Sequence, residues 1–187
     1  MSDKHLIIQR FENMDKEGLI EAIYSINQNK EVVPVDEFLF ILDETMDIEV
    51  ILVIIECLLG RIDEVDDYLL KKYKSFSRVV QDHILLLFSK SERSKHMQFL
   101  LDEYFYNPYK RPRIRKEAFE NKKFLFMNLA RYFEGIPFNE DNVTIAQQIL
   151  KTIPRDIILS CVGVFTGTKI LDVYYAIPVN EREKFDQ

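Results

Sequence analysis

The stretch "VDEFLFILDETMDIEVILVIIECLL", residues 35–59, decides the architecture. Its apolar residues recur at helical spacing. The polar knot from Asp43 to Asp47 divides it into two helices, and Asp47 is a good N-cap for the second. The design returns thirty residues on as "VDDYLLKKYKSFSRVVQDHILLLFS", residues 65–89. Val35 aligns with Val65, Asp36 with Asp66, Phe38 with Tyr68 and Leu39 with Leu69. In the second helices Val50 aligns with Val80, Ile54 with Ile84, Ile55 with Leu85 and Leu58 with Phe88. Asp47 and Ser77 fall at the same capping position. Each unit reads as helix, tight turn, helix. The first helix is amphipathic and the second is apolar nearly all round, so the second must be covered on both sides, as in an inner layer of stacked hairpins.

A third unit follows. "KHMQFLLDEYF", residues 95–105, repeats the first-helix pattern, with Phe99-Leu100 in place of Phe38-Leu39. Ile114 takes the Val50 position if the turn between them grows by about three residues. That makes "FYNPYKRPRIRKEAF", residues 105–119, an enlarged turn, an ordered and exposed protrusion with tyrosine at its base. Pro112 suits the start of a helix, which runs to Gly135 with a break near Asn121-Lys122-Lys123. Upstream, Leu6 to Met14 outline one helix. Asp15 caps another bearing Leu19, Ile20, Ile23 and Ile26, and the linker "NQNKEVVP" follows. Downstream, residues 139–153 form an amphipathic helix and Pro154 opens another. "IILSCVGVF", residues 157–165, is read as helix despite its β-branched content, because no partner strand is present. Residues 168–177 make a last helix, and 179–187 a loose tail.

The reading is all-α: stacked antiparallel helical hairpins, an α-solenoid or an irregular bundle, in one domain. Its parts are an N-terminal hairpin (1–30), three repeats (35–134), C-terminal helices (136–178) and a tail. Five glycines in 187 residues support short connections. The hairpins over residues 35–134 resemble HEAT-like helical repeats, in their helix pairing, their Asp-containing turn and their apolar second helix. That resemblance implies an extended surface for binding a macromolecule, and no chemistry.

No catalytic signature is present. His5, His83 and His96 lack a second ligand at metal spacing, and His83 reads as a satisfied, partly buried side chain. Cys57 and Cys161 sit in apolar runs and read as buried thiols. "GVFTGTK", residues 163–169, has the wrong spacing for a phosphate loop and reads as a turn between short helices. Paired carboxylates abound, but a glycosidase would want a stacking platform, and the chain has no tryptophan. No cofactor or metal is expected. "MSDKHLIIQRFENM" lacks the apolar core of a signal peptide. "IEVILVIIECLLG" carries two glutamates and is too short to span a bilayer. A cytoplasmic, non-membrane chain is expected.

The net charge of −6 hides an asymmetry. Residues 1–89 carry −9, residues 90–134 carry +5 and the remainder −2. Asp43, Glu44 and Asp47 crowd one turn, and Asp63 and Glu64 crowd the next link. Many such carboxylates answer helix N-termini, yet aligned turns would form an acidic ridge for a basic partner. The 105–119 stretch joins Tyr104, Tyr106 and Tyr109 to Lys110, Arg111, Arg113 and Arg115, residue types enriched at protein interfaces. It reads as a solvated turn, as a protein contact, or as a site that stacks bases and grips phosphates. The candidate partner-binding set is therefore those five acids, three tyrosines and four bases.

A small acidic chain without a catalytic motif is similar in character to bacterial immunity proteins. These bind one cognate toxin, often a basic nuclease. The expected partner is another protein, such as a toxin domain. Nucleic-acid binding through residues 110–123 is the alternative, since the −9 field over the first hairpins opposes it.

Overall fold

The computed structural model describes residues 14–28 and 34–182. Residues 6–13 of the helix expected over Leu6–Met14, residues 29–33 of the linker and residues 183–187 of the tail lie outside the described residues, and Met14 itself is not helical. All regular structure among the described residues is helical, in twelve α-helices. They are α1 (Lys16–Gln28), α2 (Val35–Glu44), α3 (Ile48–Cys57), α4 (Ile62–Lys72), α5 (Arg78–Ser89) and α6 (Ser94–Tyr106). The rest are α7 (Arg111–Ala118), α8 (Lys122–Gly135), α9 (Glu140–Leu150), α10 (Arg155–Phe165), α11 (Lys169–Ala176) and α12 (Val179–Arg182). Residues 157–165 are thus helix, as their lack of a partner strand implied. Gly167, with φ of +80°, turns the chain between α10 and α11, where only glycine is unstrained.

The chain divides into two compact units, residues 1–87 and 88–187. Unit 1 holds nine Lys/Arg against eighteen Asp/Glu, and unit 2 holds sixteen against thirteen. The units are therefore oppositely charged, −9 and +3.

In unit 1, the Asp15 side chain accepts the Gly18 N–H at 2.9 Å and starts α1, as its position implied. Helix α3 packs on both α1 and α2. Val50, Ile51, Val53, Ile54 and Ile55 are buried along it, which is why it is apolar nearly all round. The second hairpin repeats this pattern. Val80, Ile84 and Leu85 are buried like their partners Val50, Ile54 and Ile55. Both caps form: Asp47 Oδ1 accepts from the N–H groups of Glu49 and Val50, and Ser77 Oγ from that of Val80. The aligned aspartates diverge, since Asp66 is buried whereas Asp36 is exposed.

In unit 2, α8 is the centre and packs against α6, α9, α10 and α11. Leu125, Phe126, Leu129, Ala130 and Phe133 are fully buried on it. Each such leucine or phenylalanine contributes about 1.5–3 kcal/mol. Asn121 caps α8 by accepting the Phe124 N–H at 3.1 Å, so the break expected near residues 121–123 is a new helix start.

Two expectations need correction. The turn read over residues 105–119 is shorter than that, because the helix expected from Pro112 forms and begins at Arg111. The turn itself is only Asn107–Lys110, and α7 takes up residues 111–118. The reason is Arg111, whose Nε and Nη2 donate to the Tyr104 and Phe105 carbonyls at 2.8 and 3.0 Å. These bonds close the C-terminal end of α6 as the next helix begins. Pro112 fits the first turn of α7, where no N–H is needed, and Ile114 and Ala118 are buried. The tail is also less loose than read, because residues 179–182 form a helical turn. Pro178 O accepts from the N–H groups of Glu181 and Arg182, Glu181 pairs with Lys151 at 2.6 Å, and the Arg182 guanidinium lies over the Tyr174 and Tyr175 rings.

Candidate functional site

The acidic turn of unit 1 is built by α2 ending and α3 starting within three residues. The Thr45 N–H reaches back to Ile41 O and closes α2, while Asp47 opens α3. Two of the three candidate acids there are committed. Asp43 accepts from Lys72 Nζ at 2.8 Å and from Tyr68 Oη at 2.7 Å. Those bonds, Lys72 first, hold its carboxyl below the ordinary carboxylate range. Asp47 spends one oxygen on its cap, and Lys16 Nζ lies 3.2 Å from the other. Desolvation pulls its pKa upward, but the Lys16 bond and the two backbone N–H bonds leave it lowered. Glu44 is exposed. At the next link Glu64 is gripped by Arg61 through two bonds of 2.7 and 2.8 Å, and Asp63 is exposed.

The tip of this turn is Met46, 92% exposed. It borders a pocket of 320 Å³ with Leu42, Ile48, Ile51 and Phe76. The turns of the two hairpins meet there, since Thr45 and Met46 line it from one side and Ser75 to Ser77 from the other. Asp43 and Lys72 supply its charged lining. Asp43 is thus the one candidate acid that lines this hollow, beside Met46, the one apolar residue in "DETMD".

The basic stretch is dispersed by the fold. Tyr104 is buried against Phe119, with ring centroids 5.0 Å apart. Tyr106 and Tyr109 are exposed, Tyr109 to 81%. Lys110 is buried, Arg111 is spent on α6 carbonyls and Arg113 is half-buried. Arg115 and Lys116 are exposed, as is Lys123 beyond the α7–α8 break. Lys122 has its pKa lowered by burial and by the nearby Arg115 charge. Sequence order alone placed Lys110 and Arg111 among the exposed bases. Arg111 is removed by the α6 carbonyls that it closes, and Lys110 by burial.

A second hollow of 520 Å³ lies in unit 2, where the end of α6 and the α6–α7 turn face the start of α9. Tyr106, Pro108, Arg111, Pro137 and the first turns of α9 line it. Its lining comes from segments about thirty residues apart, so no local motif announced it.

His83 is half-buried and its Nδ1 lies 2.9 Å from Val79 O. His96, read as part of a basic segment, is fully buried. It stacks on Phe88 with centroids 4.4 Å apart and bonds to Ser91 Oγ. Cys161 is buried and Cys57 half-buried. Burial, helped by the Glu56 charge, pushes the Cys57 thiol up to about 11. Among the described residues no group of three or more His, Cys, Asp or Glu could hold a metal ion, and no helix is long and apolar enough to cross a membrane. No protein-family model, curated protein or solved structure matches the chain.

Proposed function

We propose that this chain is a non-catalytic protein-binding module that engages a basic partner through the turn edge of unit 1. The observation that carries the reading is Met46: a large apolar side chain, 92% exposed, beside a 320 Å³ hollow that Leu42, Ile48, Ile51 and Phe76 line together with Asp43 and Lys72. Covering that side chain with a partner would remove its apolar surface from water, a favourable change. An apolar anchor ringed by charge is how protein interfaces concentrate their energy. The −9 charge of unit 1 would speed encounter with a cationic partner and select against acidic ones. The specific form of this reading is an immunity-type protein that neutralises a toxin domain, a basic nuclease being the natural partner.

The test mixes the purified chain with a candidate basic toxin domain. A complex at micromolar concentration is expected, with association slowing as salt rises. Met46→Glu should weaken it by about tenfold or more. No complex at that concentration would remove the immunity reading, and a complex indifferent to Met46→Glu would move the interface elsewhere.

A second reading, nucleic-acid binding, is favoured by the exposed Arg115, Lys116 and Lys123 at the α7–α8 junction. Lys110 and Arg111 have no part in it, being buried or spent within the helix ends. Duplex or single-stranded DNA at low salt should then bind, and binding should collapse as salt rises. Failure to bind at ~50 mM salt would retire it.

A further inference from the structure

We propose that this chain associates head to tail with a second copy of itself, Tyr109 of one protomer entering the Met46 hollow of its partner. The inference shares the unit 1 edge with the proposed function but does not rest on it. It starts from the two most exposed large apolar side chains among the described residues, Met46 at 92% and Tyr109 at 81%. One belongs to each unit. Met46 borders a recess, and Tyr109 sits in a tight turn between two helices.

The turn holds Tyr109 in place. The Asn107 N–H donates to Glu103 O at 2.9 Å and closes α6, and the Lys110 N–H donates to Asn107 O at 3.0 Å and closes the turn. Pro108 fixes the backbone just ahead of the tyrosine. The Arg111 fork, two residues on, ties the turn to the Tyr104 and Phe105 carbonyls. A tyrosine has few side-chain torsions to lose, so one on a preorganised turn is covered at little entropic cost.

The recess suits such a ring. At 320 Å³ it lies at the small end of binding pockets, room for one aromatic side chain. Leu42, Ile51 and Phe76 give it apolar lining, and Asp43, Ser75 and Ser77 give it oxygens. A buried phenol needs such a partner, and Asp43 already takes one from Tyr68.

Charge complementarity selects a second copy as the occupant. Residues 43–49 hold four acids and no base. Lys72 and Lys16 offset only part of that charge, since Asp43 takes the first, and Asp47 and Glu49 share the second. Residues 104–116 hold five bases and no acid. Arg115 and Lys116 are exposed there. The acids that share a hollow with this turn are Glu140 and Asp141, and the five bases outnumber them. Unit 1 at −9 thus meets unit 2 at +3 only if one chain docks on another in this sense. The two surfaces differ, so the contact is heterologous, and every added protomer brings both of them again.

The experiment is sedimentation velocity of the full chain from ~10 μM to ~1 mM, the range in which a one-residue anchor with charge steering binds. The sedimentation coefficient should rise with concentration, and fall back when salt is raised to ~0.5 M. Tyr109→Ala and Met46→Glu should each weaken association by about tenfold or more. Both positions are exposed, so helical circular dichroism should be unchanged. The decisive sample mixes the two variants. Tyr109→Ala keeps an intact hollow and Met46→Glu keeps an intact tyrosine, so together they should form a heterodimer and nothing larger. A chain that stays monomeric up to ~1 mM would overturn the proposal. So would association that survives Tyr109→Ala, association indifferent to salt, or a mixture that gives no heterodimer. Tyr109→Ala should leave toxin binding at the unit 1 edge intact, so either reading can fail without the other.

Discussion

Tyr68 on α4 donates its phenol to the Asp43 carboxylate at the end of α2, 2.7 Å away and twenty-five residues distant in sequence. Lys72, one turn further along α4, reaches the same oxygen at 2.8 Å. The first helices of the two hairpins are thereby joined at the rim of the Met46 hollow. Asp43 is half-exposed, which limits what the pair is worth. Tyr68→Phe should cost about 0.5–1.5 kcal/mol in urea unfolding, and Asp43→Asn a similar amount. A double-mutant cycle should return a coupling of about 0.5 kcal/mol or more. Additive losses would show that the contact is idle.

The same contact predicts a pH dependence. The folded Asp43 has a lowered pKa, so its contribution is complete above the free aspartate range near 4 and is lost as pH falls through the folded value. Tyr68 is shifted upward, by burial first and by Asp43 second. Its contribution is complete below the free tyrosine range near 10 and is lost as pH rises above it. The stability gap between wild type and Asp43→Asn should therefore close on going from about pH 7 to about pH 2.5. A gap that widens in acid would contradict the assignment.

Arg111→Lys tests whether this residue closes a helix or meets a partner. Lysine keeps the charge but lacks the fork that spans two carbonyls. The variant should lose about 1–2 kcal/mol of stability, read from the urea midpoint. Unchanged stability would return Arg111 to the exposed, partner-binding set.

His96→Ala removes a buried ring and leaves Ser91 without its partner. A loss of about 2–4 kcal/mol is expected, near the level of a buried aromatic truncation. Ser91→Ala, which keeps the Phe88–His96 stack, should cost about 1 kcal/mol. Equal losses would mean that the hydroxyl, and not the stack, holds this corner.

Thiol chemistry checks the cysteines. With its thiol pushed up to about 11, Cys57 should react with iodoacetamide far more slowly at pH 8 than an unfolded cysteine of pKa near 8.5. Its rate should keep rising with pH beyond 9 and accelerate on adding urea. Fast alkylation of the native chain at neutral pH would contradict its burial.

Helix content, the hairpin boundaries and the two N-caps were legible because they are local. A 3.6-residue apolar period, a capping aspartate or serine and a scarcity of glycine act within a few residues of chain. Val50 and Val80, or Ile54 and Ile84, could be matched by offset alone, and all four are buried. The acidic turn was legible for the same reason, whereas the exposure of Met46 at its tip came only with the structure. What the chain order could not give was which charges remain available. Asp43, Asp47 and Glu64 read as a ridge but are bound by Lys72, Lys16 and Arg61. Lys110 and Arg111 read as candidate partner contacts, but Lys110 is buried and Arg111 closes the end of α6, while His96 is buried and stacked on Phe88. The hollow holding Asn142 has no sequence signature, because its walls come from α6, the α6–α7 turn and α9. Composition and periodicity determined that this protein is a set of short helices. Packing decided which polar groups face water with their bonding capacity unspent, because a charge is committed or free according to neighbours both near and far, such as Arg61, three residues from Glu64, and Lys72, twenty-nine from Asp43.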